Sequence, residues 1–212
     1  MKKIVAASQN KHKIREIEEI TKEFGMFIVP RNEAGVPDIE IVEDGETFET
    51  NSYKKAYEVM RLCGEITIAD DSGLEVDYLD GDPGVRSARF AGEDTDDKRN
   101  NEKLLSLLKG IPMEKRSGRF VSVITIVYPD GTNIVARGEV EGHIAFEESG
   151  DNGFGYDPLF IPLSYNKSFG NFTSEDKNII SHRAKALVKL RKLLMEKDKD
   201  FVKTQPGDKV CK

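Results

Sequence analysis

Long apolar runs are missing from this 212-residue chain. No stretch approaches the roughly 20 apolar residues that a helix needs to cross a bilayer, so a helical membrane protein is excluded. Cysteine is scarce. Cys63 and Cys211 form no metal-binding spacing and fit a reducing compartment. An excess of basic charge is missing too: 32 Lys and Arg stand against 38 Asp and Glu, a formal net charge of −6. That balance speaks against nucleic acid as a partner, because its phosphates favour a basic surface. A small polyanion such as a nucleotide needs only a local basic cluster, so it stays open. The G-x-x-x-x-G-K-[ST] phosphate loop, the G-x-G-x-x-G fingerprint, H-E-x-x-H and paired C-x-x-C are all absent. P-loop kinase or GTPase chemistry is therefore disfavoured. Lys2-Lys3 followed by Ile4 to Ala7 imitates a signal peptide, but four apolar residues are too few, so a cytoplasmic start is expected.

What the chain does contain is an alternation of strands and helices. Its length suits one large domain or two lobes on one core. Ile4 to Ala7 reads as a buried strand, followed by the polar turn Ser8-Gln9-Asn10. Ile14, Ile17 and Ile20 then share a helical face, which Phe24-Gly25 closes. Residues 27–30 read as strand, 31–46 as loop and 47–63 as helix. Residues 66–69 read as a strand ending in Asp70-Asp71-Ser72-Gly73, and 74–79 as further extended chain. A helix is expected over 96–108. Residues 119–128 and 132–146 form the strongest hairpin signal, around Pro129-Asp130-Gly131. From Thr173 the pattern is helical to about Lys197, and 198–212 is a polar tail. The long antiparallel hairpin implies a mixed α/β sheet rather than a purely parallel one. Residues 1–197 are expected to make a single α/β domain.

Four segments carry possible chemistry. Carboxylates at the end of an α/β strand, such as Asp70 and Asp71, sit where such folds bind ligands, although Asp-Asp-Ser-Gly is also an ordinary turn. Adjacent residues on an extended chain point to opposite sides, so one of the pair faces the site and the other supports it. Residues 38–49 hold six acids and no base. Most read as a solvated loop, yet one of them with one of the Asp pair would suffice for Mg²⁺. Lys177 to Lys192 holds six Lys or Arg and no acid. Within it, Ser181-His182-Arg183 sets an imidazole beside a guanidinium near a helix start, a combination suited to a heterocycle edge or a phosphate. Gly153-Phe154-Gly155-Tyr156-Asp157-Pro158 lets a flat ligand approach the backbone, with Phe154 available for stacking. A tight loop with buried aromatics is the plainer reading of that run.

In this order, the motifs resemble the inosine triphosphate pyrophosphatase family. They are Ala7-Ser8-Gln9-Asn10-Lys11-His12-Lys13; Glu43-Asp44-Gly45-Glu46-Thr47-Phe48 with Asn51 and Lys55; Ala69 to Leu74; Pro83-Gly84-Val85 with Ser87-Ala88-Arg89; Gly153 to Pro158; and Lys177-Asn178 with Ser181-His182-Arg183. The resemblance runs from Lys3 to about Leu194. It implies an α/β fold: a long bent mixed β-sheet flanked by helices, in two lobes with a central cleft. It also implies Mg²⁺-dependent hydrolysis of ITP, dITP and XTP to monophosphate and pyrophosphate, and a cytoplasmic homodimer. By the same resemblance Asp71 is the general base and a metal ligand, and Glu43 is the second metal carboxylate. Ser8, Asn10 and Lys13 would hold the phosphates together with the intervening Gln9, Lys11 and His12. Lys55, Ser72 and Lys177 complete the phosphate cradle. Phe154 would stack on the base, Gly155, Tyr156 and Asp157 shape its pocket, and His182 and Arg183 contact the 6-oxo edge. Three positions depart from the family's pattern: Gln9 replaces a frequent Gly, Arg86 a frequent aromatic, and Asn171 a frequent Glu. The alternatives are a related pyrophosphatase preferring other modified nucleotides, a non-catalytic nucleotide-binding module, and a structural protein whose acidic loop pairs with its basic helix.

Overall fold

The computed structural model describes residues 2–22 and 25–197. Phe24 as a helix stop, the polar tail and Cys211 lie outside the described residues.

Six strands form one sheet in the order β2-β1-β3-β4-β5-β6. They are β1 (Lys2–Ala6), β2 (Met26–Pro30), β3 (Thr67–Val76), β4 (Ser117–Val127), β5 (Asn133–Ile144) and β6 (Phe160–Pro162). β1 runs parallel to β2 and to β3, whereas every later pairing is antiparallel. The expected hairpin is β4–β5, and the mixed α/β sheet is present as expected. Five helices flank it: α1 (Lys11–Thr21), α2 (Phe48–Cys63), α3 (Asp97–Leu107), α4 (Ser174–Ile180) and α5 (His182–Lys197).

Burial on both faces explains why β1 reads as an uninterrupted apolar run. Ile4 and Ala6 join Ile17 of α1, Ile68, Ile124 and Leu187 of α5 on one face. Val5 and Ala7 join Ala56, Val59 and Met60 of α2 on the other. A separate cluster serves the antiparallel end, where Leu74, Phe120, Val140, Phe160 and Phe169 pack with Leu104 of α3. Side-chain oxygens start four of the helices. Asn10 accepts from the amides of His12 and Lys13, Thr47 from Thr50, Asp96 from Arg99, and Thr173 from Asp176. Such caps satisfy amides that the first helical turn leaves without partners.

One mismatch in strand length opens the sheet. β1 pairs with β3 only at Val5–Thr67 and Ala6–Ile68. β3 then continues against β4 as far as Val76. Beyond Ile68, therefore, no strand pairs with the β1 side of β3; farther along that edge the 82–87 segment takes over, with Ser87 Oγ accepting the Leu74 amide at 2.9 Å and the Asp82 carbonyl the Val76 amide at 3.2 Å.

Two sequence expectations are corrected here. Asp70 to Gly73 do not end a strand; they sit inside β3, which runs unbroken to Val76, while Asp77–Leu79 form a short 3₁₀ turn. Turn-forming residue types persist mid-strand because both carboxylates meet buried cations, described below. The helix expected from 173 to 197 is two helices, parted at Ser181 with φ −65° and ψ 159°. Ser181 Oγ accepts the Ala184 amide at 3.1 Å, so this residue starts α5 rather than continuing α4. Among the described residues, no helix is long and apolar enough to cross a membrane.

Candidate active site

Because β3 is extended, Asp70 and Asp71 leave it on opposite faces. Asp71 points toward α2, where Lys55 Nζ donates to its Oδ1 at 2.8 Å and to Glu43 Oε2 at 2.9 Å. Asp71 Oδ2 is buried and has no hydrogen-bond partner. Burial pushes the Asp71 carboxyl up to about 6; Lys55 and Lys13 offset part of this, and neighbouring Glu43 adds to it. Burial works against the charged form of Lys55 as well, but two carboxylates outweigh it and its pKa is raised. Burial likewise opposes the charge on Glu43, and Lys55 outweighs it, leaving that carboxyl below its usual range. Of the two acids on Lys55, Asp71 is the more deeply buried, and so it is the one that holds its proton to higher pH.

Metal binding can be judged from this donor set. Among the described residues, no cluster of three or more His, Cys, Asp or Glu is placed to hold an ion. Two carboxylates, one with an unpartnered oxygen, fit Mg²⁺, which takes one or two protein carboxylates and completes its shell with phosphate and water.

On the opposite face, charges alternate through the interior. Lys13 Nζ lies 3.1 Å from Asp70 Oδ2. Arg183 donates to Asp70 from Nε at 3.3 Å and from Nη2 at 3.1 Å, to Ser72 Oγ at 3.0 Å, and from Nη1 to Glu16. Lys177 Nζ then bridges Glu16 at 2.9 Å and Asp157 at 2.7 Å. Ser122 Oγ donates to Asp70 Oδ1 at 2.6 Å. Burial would neutralise Asp70 and Glu16, but Arg183 outweighs it for both, aided by Lys13 at Asp70 and Lys177 at Glu16, and both carboxyls fall below their usual range. Asp157 goes the other way: its burial exceeds the pull of Lys177, so its pKa is raised.

Beside this chain of charges lies a pocket lined by Lys13, Ser72, Phe154, Tyr156, Asp157 and His182. His182 is buried, stacks on Phe120 at 4.8 Å between ring centroids, and has an unpartnered Nδ1. Its burial, reinforced by Arg183 and Lys177, holds its pKa well below the usual imidazole value, so the ring is neutral at pH 7. Phe154 stacks against His12 at 5.4 Å, with Lys177 Nζ 4.9 Å above its ring. The tight loop carrying Phe154 depends on Gly153, whose φ is +80° and where a Cβ would lie 2.0 Å from Asp157 Oδ2. α3 grips the same loop: Asp97 accepts the Gly155 amide at 2.7 Å, and Asn101 donates to its carbonyl at 3.2 Å. Tyr156 donates to the Ser87 carbonyl at 2.8 Å.

A second cavity, about 320 Å³, adjoins this pocket and holds Glu43, Lys55 and Asp71. The two share Asn10, Lys13, Ser72 and Ala88. Ser8, Gln9 and Asn10 line the second cavity, and Ser8 Oγ accepts the Asn10 amide at 3.1 Å. Lys11 lies outside both, against an outer groove. The structure thus gathers every expected site residue except Lys11 and Arg183 around two connected cavities or the aromatic stack beside them; Arg183 is fully buried, lines neither cavity and reaches the pocket only through Ser72. Sequence reasoning missed Glu16, Ser122 and Arg89. Glu16 sits close to Glu18 and Glu19 on a helix of mixed charge, with nothing local to distinguish it. Arg89 Nη2 donates to the Glu43 carbonyl at 2.9 Å, and its only signal was its place after Ser87-Ala88. Asn171 ties Ser149 to Ser168 with no charge involved, and Arg86 is an exposed partner of Asp82.

Known proteins are similar to this chain over nearly its full length. A protein from Clostridium perfringens named dITP/XTP pyrophosphatase is 52% identical over 90% of this chain and 96% of its own. Its Bacillus subtilis namesake is 46% identical, over 92% and 98%. Among solved structures, the Ham1 protein of Staphylococcus aureus superposes with a TM-score of 0.82 at 39% identity, covering 93% of this chain and all of that one. The Ham1 family pattern itself matches residues 4–193, and this chain belongs to the Ham1 family.

Proposed function

We propose that the protein is a nucleoside triphosphate pyrophosphatase that hydrolyses dITP, XTP and ITP to the monophosphate and pyrophosphate, with Mg²⁺ as cofactor. The observation that carries the reading is Asp71. It is a buried carboxylate with one oxygen on Lys55 and the other unpartnered, in a cationic cavity that joins an aromatic pocket. Relatives of the same length named for this activity support it.

Glu43 and Asp71 would hold the metal, which when bound neutralises phosphate charge and acts as a Lewis acid. Lys55 keeps both carboxylates in place through two hydrogen bonds. Lys13 and Ser72, shared by both cavities, lie where a nucleotide's α-phosphate would pass from one to the other. Asp71 accepts a proton from water as that water attacks the α-phosphorus, and pyrophosphate leaves on the far side. A carboxyl with a raised pKa is a better base than an ordinary Asp.

Selectivity follows from neutral His182. With Nδ1 protonated it donates to a 6-oxo group, and a 6-amino group in that place would set donor against donor in a buried site. Arg183, held by Asp70 and Glu16, keeps the surroundings of that ring cationic. Phe154, in the lining of the same pocket, would stack on the base.

The test is pyrophosphate release from dITP, XTP, dATP and dGTP with and without Mg²⁺. Turnover of dITP and XTP well above dATP, lost on chelation, supports the reading. Equal turnover of dATP and dITP refutes it. Asp71→Asn should cost at least about 10²-fold in kcat, the scale of general-base catalysis. Assembly as a homodimer in the cytoplasm belongs to the same proposal. Exposed Phe27, Phe146 and Ile179 supply apolar surface for it, and light scattering should give twice the mass of one chain.

A further inference from the structure

A third space continues the row of cavities. It is an outer groove of about 630 Å³ that shares Ser8, Gln9 and Arg31 with the cavity holding Asp71. Base pocket, phosphate cavity and groove therefore follow one another around the turn after β1, and Arg31 stands at the second junction.

Arg31 follows the last residue of β2, and its side chain is 6% exposed. Its Nη2 donates to the Ile39 carbonyl at 2.9 Å and to Asp38 Oδ1 at 3.3 Å. Among the described residues, Nε and Nη1 have no hydrogen-bond acceptor, yet neither is among the sealed polar atoms without a partner. Those donors therefore open onto the cavities that the side chain lines. The other cations of the phosphate cavity also have partners within the fold. Lys13 is held by Asp70, Lys55 by Glu43 and Asp71, and Arg89 by the Glu43 carbonyl. The one acid on Arg31, Asp38, is 89% exposed at its side chain and is shared with Gln9 Nε2 at 2.7 Å.

We propose that Arg31 is a binding residue for the leaving pyrophosphate, exchanging Asp38 for a phosphate oxygen and handing the product to the outer groove. The inference rests on the pyrophosphatase reading above, because that reaction leaves its diphosphate on the side away from the base. An exposed, long ion pair is cheap to break, whereas a guanidinium fork on phosphate is strong and bidentate. The groove beyond sets Lys11 and Arg15 against Glu18, Glu33 and Asp38, so it does not retain the anion. Glu40, at the edge of the phosphate cavity, adds repulsion that favours exit.

Calorimetric binding of Mg²⁺-pyrophosphate and of dIMP to the full chain tests this without turnover. Arg31→Gln should weaken pyrophosphate binding by about tenfold or more, the scale of a charge-assisted bidentate contact, and leave dIMP unchanged. Asp38→Asn frees Arg31 and should tighten pyrophosphate binding, with stronger product inhibition of dITP hydrolysis. That substitution is on the surface, so it stays informative if Arg31→Gln misfolds. A purely structural role for the pair predicts that both variants weaken binding together, and this result overturns the proposal. So does equal weakening of pyrophosphate and dIMP in Arg31→Gln. A wild-type chain that shows the Arg31 dependence but fails to hydrolyse dITP would sink only the functional reading.

Discussion

Replacing Asp71 with Asn should make the protein inactive and more stable. The Asp71 carboxyl is raised from 3.8 to about 6 by burial. That is about two units, and at about 1.4 kcal/mol per unit it corresponds to about 3 kcal/mol. A carboxyl whose folded pKa exceeds its unfolded value favours the fold in its protonated form. Its contribution is complete below about pH 4 and is lost as pH rises through about 6. Asn mimics the protonated form at every pH, and Lys55 keeps Glu43 as a partner, so no buried cation is stranded. The stability gain of the variant should therefore be near zero at pH 4, open between pH 4 and 6, and level off at about 3 kcal/mol by pH 7 in chelator. For a chain of this size, that is roughly 6–12 °C in Tm. The sequence has no Trp, so urea unfolding is best followed by far-UV circular dichroism. Comparing wild type and variant at each pH cancels the titrating groups remote from Asp71, leaving its own titration with that of its neighbours Glu43 and Lys55. A variant less stable at pH 7, or a difference that stays flat from pH 4 to 7, would refute the reasoning. Adding Mg²⁺ should narrow the gap by stabilising wild type more than the variant.

Other perturbations separate the two faces of β3. Arg183→Ala strands Asp70 and Glu16 in the interior and should cost about 3–5 kcal/mol by urea unfolding. Arg183→Lys keeps the charge and loses the fork, so the fold should survive while the dITP to dATP preference falls; an unchanged preference counts against the assigned role. Gly153→Ala places a Cβ against Asp157 and strains a positive φ. It should raise KM for dITP more than it lowers kcat, and a normal KM would show that the loop tolerates the strain.

Much of this fold is written in local pattern. β1, α2 and the β4–β5 hairpin announce themselves through apolar runs, a Thr cap and a Pro-Asp-Gly turn. The errors arise where tertiary partners override local chemistry. Asp-Asp-Ser-Gly has turn composition, yet Lys55, Arg183, Lys13 and Ser122 converge on it from distant elements and keep it extended. Ser181 breaks what periodicity reads as one helix, because a change of axis leaves no mark on the spacing of apolar residues. Within the site, motif order brought out Asp71, Glu43 and His182, whose types suit metal and base chemistry. Glu16 stayed hidden because its two cationic partners lie over 160 residues away in sequence. Arg31 stayed hidden because it lies in a loop outside every motif.

The short pairing of β1 with β3 limits how this protein can change. Asp71 faces the phosphate cavity while Asp70 meets the buried Lys13 and Arg183 only because consecutive residues of one extended strand face opposite ways. β4 holds that strand in register on its other edge along its whole length. An insertion or deletion of a single residue between Thr67 and Asp70 would exchange the two carboxylates, placing the proton acceptor among the arginine and lysine pairs and the ion-paired acid beside Glu43. Both functions would be lost at once, with no intermediate that keeps either. A substitution in this strand leaves every other side chain on its own face, whereas a change of length does not.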